Sequence, residues 1–204
     1  MGLIKRAGAI LDSPIVYRLW QGPFAAAKMA PVIRHNDLSQ ARRVLDLGCG
    51  PGTNCRFFPH GEYLGVDINP RYVDYARRRY GRTFAVEDVR NYRLPRDGCI
   101  DFVLLSSLLH HLDDEATHGV LANVAQVVSD GGHVHIIELV LPDRAGIARA
   151  LARGDRGNYP RPLDEWRAVF CRHFEPVVFE PFAVKTLLGI TLWKLVYFKG
   201  KMKV

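Results

Sequence analysis

Short apolar runs ending on or beside an acidic residue recur along the chain. Val44-Leu45-Asp46-Leu47 is the first, Tyr63-Leu64-Gly65-Val66-Asp67 the second, and Thr83 to Glu87, followed by Asp88, the third. Ile100 to Ser106 is a fourth run, and His133 to Leu141, ending near Glu138, a fifth. Runs this short and continuous read as strands buried on both faces, the condition of a parallel sheet. Helical periodicity fills the gaps between them. Asn69-Pro70 opens a helix with Val73, Ala76 and Tyr80 inward, closed by Arg77-Arg78-Arg79 beside Gly81, where cations complement the helix dipole. Asp113-Asp114 cap a long helix on which Ala116, Val120, Leu121, Val124, Val127 and Val128 keep the 3.6-residue period. Asp130-Gly131-Gly132 reads as the turn into the fifth strand. Thr53 to Phe58 leaves room for only a short helix before Pro59.

The two ends of the chain depart from this alternation. Leu3, Ile4, Ala7, Ile10 and Leu11 fall on one helical face. Ser13-Pro14 starts a second helix through Trp20, Gly22-Pro23 breaks it, and a third runs to about His35. After the fifth strand, Asp143 to Arg153 reads as a helix, 154–162 as a Gly- and Pro-rich loop, and Leu163 to Phe170 as a helix. Phe174 to Val184 and Ile190 to Phe198 are the last two strands, joined around Leu188-Gly189. The organisation is a single α/β domain: helical residues 1–40, a core over 41–141, an insertion over 142–173 and a terminal strand pair over 174–204.

The chemistry gathers where the first strand ends. Gly48, Gly50 and Gly52 follow Asp46 at alternate positions, a tight loop needing unusual dihedrals or room for a ligand. The Gly-X-Gly-X-X-Gly dinucleotide fingerprint is spaced differently, and here the acid precedes the glycines, which suits a ligand with a cationic end and no phosphates. Asp67, at the tip of the second strand, is placed to accept two hydroxyls of a ribose. The three acids, with Ser106-Ser107-Leu108-Leu109-His110-His111-Leu112 after the fourth strand, resemble the class I methyltransferases that use S-adenosylmethionine. The resemblance runs from about Arg42 to Leu141. It implies a Rossmann-like seven-stranded sheet, mostly parallel with an antiparallel last strand, helices on both faces and an N-terminal helical lid. It also implies that Asp46, Gly48, Gly50, Gly52 and Asn54 form the loop that holds the methionine end and that Asp67 holds the ribose. Ile68 and Val89 would flank the adenine, Asp88 would reach its exocyclic amine, and Ser106 would lie beside the methionine.

Composition narrows the partners. The chain has 204 residues, 48% hydrophobic and 24% charged, as a soluble globular protein has. Its 28 basic and 21 acidic residues give a net charge of +7, which admits an anionic substrate, nucleic acid or an acidic membrane surface. Cys49, Cys55, Cys99 and Cys171 show no short paired spacing, so neither a metal site nor a disulfide framework is indicated, and free thiols in a cytoplasm are the expectation. A peripheral membrane contact and a homodimer both stay open.

A sulfonium already carries an activated methyl group, so transfer is an in-line displacement in which the protein mainly supplies alignment and a dry site. Where the acceptor needs a base, His110 and His111 are the candidates, although His111 matches a histidine that is often structural in the family. Glu138 and Tyr159 are weaker ones. Tyr17, Trp20 and Phe24 would line the lid, and Arg153, Arg156, Tyr159 and Arg161 the acceptor side of the insertion. Those arginines either clamp an anion or pair with Asp155, Asp164 and Glu165. Ser106-Ser107 stand where many amino-group methylating members carry an Asn/Asp-Pro-Pro-aromatic signature, which suits the small-molecule branch that includes quinone-biosynthesis enzymes. The expected acceptor is small, largely apolar and acidic: an aromatic, a quinone or an isoprenoid-like molecule. An RNA or protein methyltransferase is the alternative, and a non-catalytic partner subunit of the same fold a second.

Overall fold

The computed structural model describes residues 14–92, 100–155, 157–186 and 188–203, with side chains from residue 24 onward. Seven strands form one sheet: β1 (Arg43–Leu47), β2 (Glu62–Asp67), β3 (Thr83–Val86), β4 (Ile100–Ser106), β5 (Val128–Leu139), β6 (Phe174–Lys185) and β7 (Thr191–Met202). Their order is β3-β2-β1-β4-β5-β7-β6. Every pairing from β3 to β5 is parallel, and β7 runs antiparallel to both of its neighbours. Among the described residues there are five α-helices: α1 (Pro14–His35), α2 (Pro70–Tyr80), α3 (Asp114–Ala125), α4 (Ile147–Gly154) and α5 (Leu163–His173). None of them is long and apolar enough to cross a membrane.

The period of two along each strand builds two cores. Leu45, Leu47, Val103, Leu105, Val134, Ile136, Val196 and Phe198 point to one face, where Val120, Leu121 and Val124 of α3 and Trp166 and Phe170 of α5 cover them. Val44, Phe102, Leu104, Ile137, Leu195 and Tyr197 point to the other. That second face is covered by Met29 and Val32 of α1, Val73 and Ala76 of α2, and Ala152 of α4. Burial on both faces is why these strands read as continuous apolar runs.

Local signals fix several boundaries. Asn69 caps α2 by accepting from the Arg71 N–H at 3.0 Å, Pro70 takes the first turn, and Gly81 closes the helix at φ 61°. Asp113 caps α3 through the Ala116 N–H at 2.9 Å. Four readings of the pattern are corrected. Gly22-Pro23 does not break α1, which runs through both. A proline inside a helix removes one backbone bond, and here the second half of α1 is anchored by the fully buried Met29 and Val32. Helix α3 stops at Ala125, and Val128 already belongs to β5. Asp130-Gly131-Gly132 is an irregularity inside β5, where register against β4 shifts between Ile100 and Phe102. The helix expected over 143–153 is shorter, Ile147–Gly154.

The expected lid divides. Residues 1–13, with the first proposed helix, and the side chains of Tyr17 and Trp20 lie outside the described residues. What is described of α1 is a layer of the sandwich. Phe24 packs edge-on against Trp193 of β7 at 5.1 Å, and Arg34 and His35 bond Glu180 of β6 at 2.5 and 2.7 Å.

Candidate active site

The sheet order reverses between β1 and β4, and a crevice at the carboxyl ends of such strands is where open α/β sheets bind ligands. Asp46 of β1 and Tyr63, Gly65 and Asp67 of β2 share one face, because Asp46 pairs in register with Gly65. Asp46 is fully buried. One of its oxygens accepts from the Tyr63 hydroxyl and from Asn54 Nδ2, the latter at 3.3 Å. The other, Oδ1, is buried with no hydrogen-bond partner. Burial pushes the Asp46 carboxyl up to about 7, against the Tyr63 and Asn54 hydrogen bonds, and the nearby charge of Asp67 adds to the rise.

The glycine loop is held between these strands. Gly48 and Cys49 both donate to the Val66 carbonyl, at 2.8 and 3.0 Å. Asp67 accepts the Gly50 N–H on one oxygen and the Asn69 N–H on the other, both at 2.8 Å, and each oxygen keeps a second lone pair. Gly52 sits at φ 76°, and a Cβ there would lie 2.8 Å from both Ala76 and Phe84. A Cβ on Gly48, at φ 71°, would press on Leu108 at 2.9 Å, so this loop touches the segment after β4. An orphaned, buried carboxylate oxygen beside a backbone cradle fits a ligand with a cationic amine.

The remaining candidates fall in less uniform surroundings. Ile68 is 62% exposed, an apolar side chain left uncovered beside Asp67, whereas Val89 packs against the core. Asp88 is engaged by Arg90, whose Nε lies 2.9 Å from both carboxylate oxygens; that guanidinium holds the acid below its usual range. Ser106 ends β4 half-buried, and Ser107 adopts φ 55°, a left-handed conformation that costs a non-glycine residue energy and clusters at functional sites.

A second cluster lies beyond β4 and β5. His110, 2% exposed, sits in a short 3-10 turn, Leu109–His111. Its Nδ1 is 2.7 Å from Glu138 Oε2, and its Nε2 is 3.5 Å from Asp155 Oδ1. Glu138 is fully buried and also accepts the Leu108 and Leu109 N–H groups, at 2.8 and 2.6 Å. Burial pulls the His110 pKa down, but Glu138 and Asp155 outweigh it and raise it to about 9. Facing a carboxylate on each side, His110 has no ring nitrogen to offer an acceptor as a base. His111, in the same turn, is exposed.

The insertion is fastened to this turn. Tyr159, 43% exposed, donates its N–H to the His110 carbonyl at 2.9 Å. Arg161 is 5% exposed. It bonds Asp114 Oδ1 at 2.6 Å and the carbonyls of Leu112 and Tyr159, each at 3.2 Å, with its guanidinium 4.8 Å over the Trp166 ring. Its clamp role is thereby corrected: the guanidinium is committed to the protein, and to Asp114 rather than to Asp155, Asp164 or Glu165. Arg156 lies outside the described residues, and Arg153 is exposed at the end of α4.

Sequence reasoning missed Tyr63 as a partner of Asp46 and Asp155 as a partner of His110. The first was legible: Tyr63 and Asp67 occupy alternate, same-face positions of β2, and a parallel neighbour ending in an acid puts Asp46 beside them.

Residues 44–132 match the family described as "Methyltransferase domain". The chain is 29% identical over 119 residues to trans-aconitate 2-methyltransferase of Methylobacterium radiotolerans, covering 56% of this chain and 43% of that one. It is 30% identical over 135 residues to 3-hydroxy-5-methyl-1-naphthoate 3-O-methyltransferase of Streptomyces sahachiroi, covering 61% and 39%. The chain thus spans less than half the length of these curated relatives. A solved S-adenosylmethionine-dependent methyltransferase of Methanosarcina mazei superposes with a TM-score of 0.68 at 20% identity, over 84% of this chain and 98% of that one. Sheet order and glycine loop agree with the match of residues 44–132 to a methyltransferase domain, and the solved neighbour shares the fold.

The orphaned oxygen carries a measurable consequence. Because the folded state raises the Asp46 pKa, the folded protein holds that proton more tightly than the unfolded chain does. The group therefore lowers stability progressively as pH rises from about 4 to about 7, and the loss is constant above. Asp46→Asn cannot ionise. Its stability relative to the parent should be nearly unchanged near pH 4 and should rise by on the order of 4 kcal/mol by pH 8, while cofactor affinity falls. Urea denaturation at both pH values checks this; an advantage independent of pH would contradict it.

Proposed function

We propose that this protein transfers the methyl group of S-adenosylmethionine to a small, largely apolar acceptor that carries its own acidic oxygen. The observation that carries the reading is the pair of carboxylates, Asp46 and Asp67, joined through the glycine loop at the switch point, one with an unpaired oxygen. S-adenosylmethionine supplies a sulfonium-activated methyl group, open to in-line displacement. Asp46 Oδ1 would accept from the cofactor's ammonium, and the spare lone pairs of Asp67 would accept the ribose hydroxyls. The loop of Gly48, Gly50, Gly52 and Asn54 would seat the methionine end, with Ser106 beside it. Ile68 and Val89 would sandwich the adenine. Its amine would meet Asp88 only after Arg90 gives way.

The acceptor side supports a substrate that brings its own charge. His110 is held by Glu138 on Nδ1 and faces Asp155 across 3.5 Å on Nε2, which keeps its pKa raised to about 9. Glu138 accepts three hydrogen bonds from the turn, so neither is placed to take a proton. An acceptor already ionised, as a carboxylate or acidic phenol is near neutrality, needs no protein base. The protein then contributes orientation and exclusion of water. Both curated relatives described above are named for organic acids, an aconitate and a hydroxynaphthoate, which supports an acceptor bearing its own acidic oxygen, and the hydroxynaphthoate supports a largely apolar body. Tyr159 would contact the acceptor, and Tyr17, Trp20 and Arg156 are the further candidates the sequence offers.

The test is transfer of an isotopically labelled methyl group from S-adenosylmethionine into a cell extract, afterwards split into small molecules, lipids, RNA and protein. Label should accumulate in the acidic small-molecule fraction. Label mainly in RNA or protein would overturn the proposal and favour the macromolecular alternative that the charge of +7 admits.

A further inference from the structure

The cysteine spacing gives no hint of a metal, yet the fold assembles one set of donors of a different kind. His110, His111 and Asp155 each bring a nitrogen or carboxylate oxygen to a common point, all three atoms within 4.8 Å of one another. We propose that these residues bind a divalent transition cation of the zinc class at the carboxyl end of β4, beside the proposed acceptor site.

The geometry of His110 carries the argument. At 3.5 Å, its Nε2 and Asp155 Oδ1 are too far apart for a good N–H···O bond. Two ligands of one tetrahedral ion, each about 2.0–2.1 Å from it, stand about 3.3 Å apart. The other ring nitrogen is held at 2.7 Å by Glu138, itself fixed by the N–H groups of Leu108 and Leu109. A carboxylate on the far nitrogen is the usual partner of a metal-bound histidine, setting its tautomer and ring orientation.

The surroundings agree with that reading. Asp155 is steadied by the Gly157 N–H at 3.2 Å, and Gly157 lies so near His110 that a Cβ there would stand 2.1 Å from the ring. The loop is thus held against the histidine. Glu138 and Asp155 bring two negative charges to a largely buried spot, which a divalent ion with two neutral imidazoles would balance. His111 supplies the third donor within that 4.8 Å set, and its exposure gives an ion a path in. Two imidazoles and one carboxylate suit zinc, cobalt or iron more than magnesium or calcium. Three protein donors leave a position open for a further oxygen ligand, as in catalytic zinc sites.

The test begins with protein freed of metal by chelator dialysis and titrated calorimetrically with Zn²⁺, then with Co²⁺ while its visible bands are recorded. One ion per chain is expected, with cobalt bands of nitrogen and oxygen coordination. His111→Ala and Asp155→Asn should each weaken binding at least about tenfold. The other close histidine pair, His118 and His173 at 2.8 Å, serves as the control, and His118→Ala should leave the affinity unchanged. Absence of saturable binding would overturn the proposal, leaving His110 as an imidazolium between two carboxylates. So would binding that survives both His111→Ala and Asp155→Asn, or that His118→Ala abolishes. None of these experiments reads methyl transfer, so this proposal and the functional one fail separately.

Discussion

Arg161→Ala should destabilise the protein by about 2–4 kcal/mol and leave cofactor affinity nearly unchanged. The guanidinium is 5% exposed and accounts for hydrogen bonds to the carbonyls of Leu112 and Tyr159. Truncation would remove these bonds, leave the Leu112 carbonyl with the Thr117 hydroxyl alone, and open a void over Trp166. The ion pair itself adds little, because the Asp114 side chain is 83% exposed. For a chain of this length the loss corresponds to a fall in Tm of roughly 5–15 °C. Arg161→Lys should recover only part of it, since an ammonium cannot reproduce the planar fork. Thermal denaturation with and without the cofactor's demethylated product reads both effects. A stable variant that instead loses acceptor affinity would restore the clamp reading.

Asp67→Ala should weaken cofactor binding by at least about tenfold, because two charge-assisted hydrogen bonds to a ribose are worth roughly 1.5–3 kcal/mol each. The same carboxylate holds the Gly50 and Asn69 N–H groups at 2.8 Å, so its loss also loosens the glycine loop. Burial raises the Asp67 pKa above the usual carboxylate range. Removing this charge therefore relieves a desolvation cost, and the variant should stay folded with a near-normal Tm.

Much of this was legible because the information was local. Asp46, Asp67 and the alternate glycines follow short apolar runs, and the period of two puts both acids on one face of a parallel sheet. The strands expected over Phe174 to Val184 and Ile190 to Phe198, around Leu188-Gly189, are likewise present, as Phe174–Lys185 and Thr191–Met202. The misreadings arose where tertiary burial outweighed a local signal. Gly22-Pro23 is a strong breaker by propensity, yet α1 continues through it to bury Met29 and Val32. Arg161 stands among nearby acids in sequence but pairs with Asp114, across the fold on α3. The His110, Glu138 and Asp155 cluster draws on three separate segments, and only the topology that sets β5 beside β4 and folds the insertion back over the 3-10 turn brings them together.

The most direct test of the account is a calorimetric titration of S-adenosylhomocysteine into the parent protein and the Asp67→Ala variant, with NAD as the comparison ligand. One site per chain in the parent, at least about tenfold weaker in the variant and without measurable NAD binding, is the predicted result. Equal affinity in both proteins, or NAD bound more tightly than S-adenosylhomocysteine, would contradict it.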